Sequence, residues 1–217
     1  MYAALRRLGL DVDIVAPDAH FTGYALVIAP SLPILEAATL AALEASGAVV
    51  LFGPRSGSRT RDGHIPDNLP PGPLQARLPL RVSRVESLRP GARPAVEHSG
   101  RTFAGRLWRE VLETELEVLA TFADGGVAWT RRESWHYLAT WPESDLLDLV
   151  IARVALEAHL PIAALEEGVR MRRRGDLQFA FNFAPEPRRT PAPARVHYLL
   201  GGPELPPAGL AAWRVGS

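Results

Sequence analysis

Two unbroken apolar runs, residues 24–30 (YALVIAP) and 48–53 (AVVLFG), flank a helical stretch at residues 32–47 (LPILEAATLAALEASG). A strand covered on both faces reads as a continuous apolar run rather than an alternating one. Strand, helix and strand at such short spacing predict an α/β domain with a mainly parallel sheet. In the helical stretch Ile34, Leu35, Ala38, Ala42 and Leu43 line one side, and Gly47 follows its end. Ahead of it, residues 2–9 (YAALRRLG) place Leu5 and Leu8 on one helical face. Residues 10–17 (LDVDIVAP) then alternate Val12 and Ile14 with Asp11 and Asp13, as a strand end does. A doubly wound domain opens on a strand that feeds its first helix. This chain opens on the helix, so that strand is expected either ahead of Met1 in a longer polypeptide or from another chain. A sheet short of an inner strand exposes unpaired backbone groups, and the isolated chain is expected to be marginal, to swap or to aggregate.

Residues 59–105 are poor in regular structure, apart from a short strand around residues 80–85. Residues 103–112 (FAGRLWREVL) and 115–125 (ELEVLATFADG) read as further β segments. Residues 126–130 (GVAWT) and 134–140 (SWHYLAT) read as a hairpin with an aromatic second arm. The clearest helix lies at residues 142–161, where Leu146, Leu147, Val150, Ile151 and Val154 recur at helical spacing. Ser144 suits its N-cap, Asp145 and Asp148 suit its N-terminal dipole, and Pro161 ends it. Beyond it come short strands and prolines. Arg174, Gly175 and Asp176 form a hairpin turn, and Phe179, Phe181 and Phe183 share one face. The expected organisation is an α/β domain over residues 1–162 and a small antiparallel β domain over residues 163–217.

The 217 residues carry 24 basic and 24 acidic side chains, so no bulk electrostatic partner such as nucleic acid is expected. Every basic residue is Arg. Cys is absent, which removes disulfides, thiolate metal sites and cysteine nucleophiles together. The N-terminus has no apolar core of signal-peptide length, and Pro30, Pro33 and Glu36 break up the most apolar region. A soluble, cytoplasmic protein without membrane association is expected.

Chemistry is sought first in the loop after the second apolar run, residues 53–64 (GPRSGSRTRDGH). Its spacing is not that of a P-loop, which also needs Lys, nor of a dinucleotide fingerprint. Binding of a small anion and contact with another subunit remain as its alternatives. Ser56 or Ser58 serves as a nucleophile only beside a partnered base, and His64 is merely a loop neighbour. The six His stand singly, and Asp62, His64 and Asp67 read as an exposed polar loop rather than a metal site. Glu110, Glu113, Glu115, Glu117, Glu166 and Glu167 lie in charge-dense stretches that read as solvated faces. Trp108, Trp129, Trp135, Trp141 and Tyr137 pack sheets or stack on sugar rings. Arg172, Arg173 and Arg174 read as an exposed strand end. No catalytic residue, cofactor site or metal site is expected from the residues themselves.

The segments YAALRRLGLDVDIVAPDA, GYALVIAPSL, GAVVLFGPRSGSRTRDG, LRVSRVESLRPG and WHYLATWPESDLLDLVI, in this order, resemble the non-catalytic middle domain of family-42 glycoside hydrolases, the bacterial β-galactosidases. LEEGVRMRRRGDLQFAFNFAPEP and LLGGPELPPAGLAAW are similar to the small C-terminal β domain of that family. The resemblance implies a flavodoxin-like domain, of the class I glutamine-amidotransferase type, that lacks its first strand here and builds a homotrimer. It implies no site residue, because the family's two catalytic glutamates stand on a (β/α)₈ barrel that this sequence does not contain. The glycine-bearing turn the family would bring to TRRESWHY is absent, so a shortened connection is expected there. The loop at residues 53–61 is then expected to meet another subunit or the barrel, with Arg55, Arg59 and Arg61 as subunit-interface donors. The expected function is assembly without turnover, as a fragment or separate subunit whose partner is a second copy or a barrel-bearing galactosidase chain. A carbohydrate-binding module without catalysis is the alternative, and a small serine hydrolase a third.

Overall fold

The computed structural model describes residues 1–215. From the N-terminus run α1 (Tyr2–Arg7), β1 (Leu26–Ala29), α2 (Ala37–Ser46), β2 (Val49–Phe52), β3 (Leu80–Ser87), β4 (Ala95–His98) and β5 (Arg101–Thr114). Next come β6 (Glu117–Phe122), β7 (Val127–Arg132), β8 (Trp135–Leu138), β9 (Thr140–Pro142) and α3 (Ser144–Glu157). The last strands are β10 (Val169–Arg174), β11 (Leu177–Asn182), β12 (Arg188–Arg189), β13 (Tyr198–Leu200), β14 (Glu204–Leu205) and β15 (Leu210–Arg214). The chain divides into two compact units, Val15–His159 and a second made of Met1–Ile14 with Leu160–Ser217.

The larger unit is built on a nine-stranded sheet of order β1-β2-β8-β7-β6-β4-β5-β3, with β9 paired on β5. Only β1–β2 and β2–β8 are parallel. The sheet is therefore mixed and mostly antiparallel, a correction to the mainly parallel expectation. The cause is connection length: a parallel pair needs a long crossover, and the links among β4 to β8 are short. One of them, Glu133–Ser134, joins β7 to β8 with Arg132 opposite Trp135, and Glu133 takes the left-handed φ of 53° that glycine would otherwise supply.

β2 is fully buried, as its unbroken apolar run predicts. β1 carries the same kind of run but ends the sheet, and all four of its residues are only half-buried. The two-sided cover expected for it is absent. α2 begins at Ala37, later than the periodicity suggested, and buries Thr39, Leu40 and Leu43, while Ile34 lies outside it and exposed. α3 buries Leu146, Val150, Ile151 and Val154 of the stripe read from the sequence, and Leu147, its fifth member, is half-buried. Glu143 rather than Ser144 occupies its N-cap, and the helix ends at Glu157, ahead of Pro161.

In the smaller unit β10, β11, β15 and β13 form an antiparallel sheet, and the Gly175–Asp176 turn joins β10 to β11 as expected. Its core is Val169, Ala180, Leu205, Ala211 and Trp213, packed by Met171 and Tyr198. Phe179 stacks on Phe181 at 6.4 Å, and Phe183 lies tilted against Phe181 at 6.3 Å. The N-terminal segment belongs to this unit through backbone bonds from Ala163 to Leu8 and from Leu165 to Arg7. Arg6, buried, caps Leu10 O and reaches Met171 O. The strand expected at residues 10–17 is not formed: the segment makes no ladder, and Ile14 is 87% exposed. An alternating segment with no neighbouring strand to bond has no ladder to join.

Candidate interface site

The loop that follows β2 is held from below by backbone. Gly53 N–H donates to Ala29 O at 2.8 Å, Gly57 N–H to Leu32 O at 2.9 Å and Arg59 N–H to Pro33 O at 2.9 Å. Residues 53–59 thus run beside residues 29–34 and end in an isolated parallel bridge between Ile34 and Arg59. Gly53 permits this approach, and Gly57 permits a second one, to Pro71. A Cβ on Gly53 would stand 1.8 Å from Pro30 O, and one on Gly57, whose φ is 62°, would stand 1.9 Å from Pro71 O. Ser56 completes the turn from inside. Its buried Oγ donates to Gly53 O at 2.9 Å and accepts from Leu32 N–H at 3.2 Å.

Arg55 stands at the crest in the left-handed region, with φ 69°. Its N–H donates to Oε1 of Glu110 at 2.8 Å, and its guanidinium lies over the Trp108 ring, 5.1 Å from the centroid. Trp108 Nε1 donates to the same Oε1 at 3.1 Å, and Tyr137 Oη donates to Oε2 at 2.7 Å. Glu110 is 2% exposed. Burial pushes its carboxyl above the usual range, and the three donors together with the Arg55 charge pull in the other direction. Burial, then the neighbouring carboxylate, pushes the Tyr137 phenol well above its ordinary value.

Glu110 corrects the reading of the acids as solvated faces. Pairing of β5 with β9 shifts register between Arg106 and Arg109, and this bulge changes the phase of the strand. Phe103 and Gly105 point inward before it, and Glu110 and Leu112 after it. The available sequence signal was an acid two residues before a core leucine in a β segment.

The three predicted interface arginines lie along one loop and differ in their ties. Arg55 is braced by Glu110 and Trp108. Arg61 gives both Nε (2.8 Å) and Nη2 (2.6 Å) to Glu36 Oε1. Arg59 is exposed and makes only a long contact, 3.4 Å from Nη1 to Gly63 O, among the side-chain bonds of the described residues. Arg59 and Arg61 border an open cleft of about 470 Å³ with Ile34, Glu36, Pro66 and Asp67. The site offers cations on a rigid crest beside a small apolar cleft, which suits contact with carboxylates or carbonyls of another polypeptide.

The other candidate chemistry is not assembled. Both bonding roles of Ser56 are occupied by backbone, and His64 is exposed, with its N–H on Thr60 Oγ1. Among the described residues no three His, Asp or Glu side chains are grouped to hold a metal. Trp129, Trp135 and Tyr137 are buried in the sheet rather than displayed as a sugar platform, Trp135 stacking on Phe52 at 5.9 Å. Among the described residues no helix is long and apolar enough to cross a membrane.

Comparison with known proteins covers nearly the whole chain. The model of the β-galactosidase trimerisation domain matches residues 1–161, and that of the β-galactosidase C-terminal domain matches residues 168–214. A β-galactosidase BgaA of a Thermus species is 51% identical over 98% of this chain, and a β-galactosidase of Thermus thermophilus 49% over 98%. The crystal structure of β-galactosidase from the psychrophilic Marinomonas ef1 superposes with a TM-score of 0.94 at 33% identity, over 99% of this chain and 33% of that one. The chain spans about a third of the length of the curated relatives it matches, 33% of each Thermus protein. It belongs to the family-42 β-galactosidases, of which it comprises the trimerisation and C-terminal domains without the barrel.

Proposed function

We propose that this chain is the non-catalytic assembly portion of a β-galactosidase-like glycoside hydrolase, acting as a fragment or as a separate subunit. Its partner is a second copy, as in a trimer, or a galactosidase chain that bears the barrel. The observation that carries this reading is the match of trimerisation and C-terminal domains across residues 1–161 and 168–214. The braced loop adds support, because Glu110 and Trp108 fix the direction in which Arg55 points, while Ser56 and two glycines hold the loop backbone. Arg55, Arg59 and Arg61 are proposed as interface donors, in a flavodoxin-like arrangement over residues 1–162 that is functionally distinct from residues 163–217. Size-exclusion chromatography with light scattering tests assembly. A species of three times the 23.6 kDa chain, or a complex with an added barrel-bearing chain, is expected. A well-folded monomer at high concentration that ignores such a chain would overturn the proposal.

A further inference from the structure

A further pocket of the larger unit lies at the C-terminal end of α3. There Arg153, Leu156 and Glu157 border Glu117 of β6, Arg131 of β7 and Glu133 of the β7–β8 turn around an open volume of about 580 Å³, a size that takes small molecules. Arg131 stands between two of the carboxylates. Its Nε donates to Glu117 Oε2 at 2.7 Å, and its Nη1 donates to Glu157 Oε2 at 3.4 Å. Arg77 Nη2 holds Glu133 Oε2 at 2.5 Å.

Behind Glu157 the sheet carries an unpaired buried group. His136 is wholly buried, yet neither ring nitrogen has a hydrogen-bond partner in the chain. Nε1 of Trp129, also buried and with its ring centroid 5.8 Å from the imidazole, has none either. Buried polar atoms are nearly always paired. His136 Nε2 lies 3.3 Å from Oε2 of Glu157, which lines the pocket, but out of line for a hydrogen bond. Burial lowers the His136 pKa, with Glu157 opposing, so the ring is uncharged at neutral pH and has one nitrogen to donate and one to accept.

The balance of charge selects the occupant. A simple anion meets three carboxylates here, and a simple cation meets two guanidinium groups. Among the described residues no three His, Asp or Glu side chains are grouped to hold a metal. A hydroxyl both donates and accepts. Vicinal hydroxyls are spaced to span a neighbouring donor and acceptor such as Arg131 and Glu117. One hydroxyl between Glu157 Oε2 and His136 Nε2 gives each an aligned partner. Leu156, 57% exposed, offers apolar contact to the C–H face of a ring.

We infer that this pocket is a binding site for a neutral polyhydroxylated ligand, a monosaccharide, held by Glu117, Arg131 and Glu157 and backed by His136. It is separate from the arginine loop and does not depend on the assembly reading.

The test is a two-dimensional amide NMR titration of the full chain with D-galactose, with sodium sulfate and glycine as charged probes. Saturable shifts are expected at the amides of Glu117, Arg131 and Glu157 and at the Trp129 indole, with half-saturation at about 1–10 mM galactose. Because the ligand is neutral, that value should hold between about 50 and 200 mM salt. Glu117→Gln turns an acceptor oxygen into a donor and is expected to weaken binding about tenfold or more. Glu113→Gln, on β5 and outside the pocket lining, is the control and should leave binding unchanged. Both acids are exposed, so both variants keep the fold. No saturable shift by about 100 mM galactose overturns the inference. So do shifts as large with sulfate or glycine, shifts centred elsewhere on the chain, or binding that Glu117→Gln leaves intact.

Discussion

The N–H of Arg55 donates to Oε1 of Glu110 across 2.8 Å, and this bond ties the loop after β2 to the middle of β5, 55 positions later in the chain. The same oxygen takes the Trp108 indole N–H, and Arg55 lays its guanidinium on that ring. Backbone, carboxylate and aromatic ring thus fix one exposed cation in one direction. A mobile arginine loses rotamer entropy when it docks, whereas a braced one has less to lose.

Glu110→Ala leaves the Tyr137 hydroxyl, the Trp108 indole and the Arg55 amide without their acceptor. A loss of about 3 kcal/mol in urea unfolding is expected. The pH dependence has a definite sign. Because the folded carboxyl titrates above its ordinary 4.5, its contribution is fully present below that value and is lost as pH rises through the higher folded pKa. In Glu110→Gln this slope disappears from the stability–pH curve. An unchanged curve would contradict the burial of the charge.

Arg55→Gly separates presentation from stability. Glycine relieves the left-handed φ of 69° and keeps the amide bond to Glu110, so unfolding free energy should change by no more than about 1 kcal/mol. Association measured by light scattering should weaken nonetheless. A variant that assembles as well as the parent would remove Arg55 from the interface.

Gly53→Ala places a methyl group where Pro30 O now lies and must part the ends of β1 and β2. A loss of about 3 kcal/mol or more is expected by chemical denaturation. Gly63→Ala is the control. Its Cβ meets nothing within 4 Å, and only the positive φ of 82° is penalised, at about 1 kcal/mol. Equal losses would mean that the packing of the loop on residue 30 is not what holds it.

His136 is wholly buried on β8, with Nε2 3.3 Å from Glu157 Oε2. Burial lowers its pKa; Glu157 opposes that effect, and Arg131 and Arg153 add to it. A depressed folded pKa contributes stability that is present above the unfolded value of 6.5 and lost as pH falls through the folded one. His136→Leu should flatten the acid side of the melting-temperature profile below pH 6.5 while costing less than about 1.5 kcal/mol above it. An acid limb as steep as the parent's would show that other groups cause it.

Patterning made some of this legible. α3 follows from helical periodicity, the β7–β8 hairpin from its apolar and aromatic second arm and the β10–β11 hairpin from its turn residues, because each pattern is local in sequence. β4 was hidden, since its four residues lie in a segment rich in Pro and Gly and acquire strand geometry only from β5 and β6 on either side. The half-buried state of β1 was equally unreadable. Apolar composition reports what a strand is suited to, and position at a sheet edge depends on partners far along the chain. Charge and loop context single out Arg55, Arg59 and Arg61, but charge density alone places Glu110, the carboxylate that braces Arg55, on a solvated face. A bulge had changed the phase of β5, and a count of alternate residues does not see one.

On the proposed reading, these domains assemble a glycosidase and do not themselves turn over substrate. The measurement that addresses this directly is hydrolysis of a chromogenic β-galactoside by the purified chain alone, repeated after addition of a barrel-bearing galactosidase polypeptide. No release above the buffer blank is predicted for the chain alone, with activity appearing only in the mixture. Saturable cleavage by the chain alone, retained through successive purification steps, would contradict it.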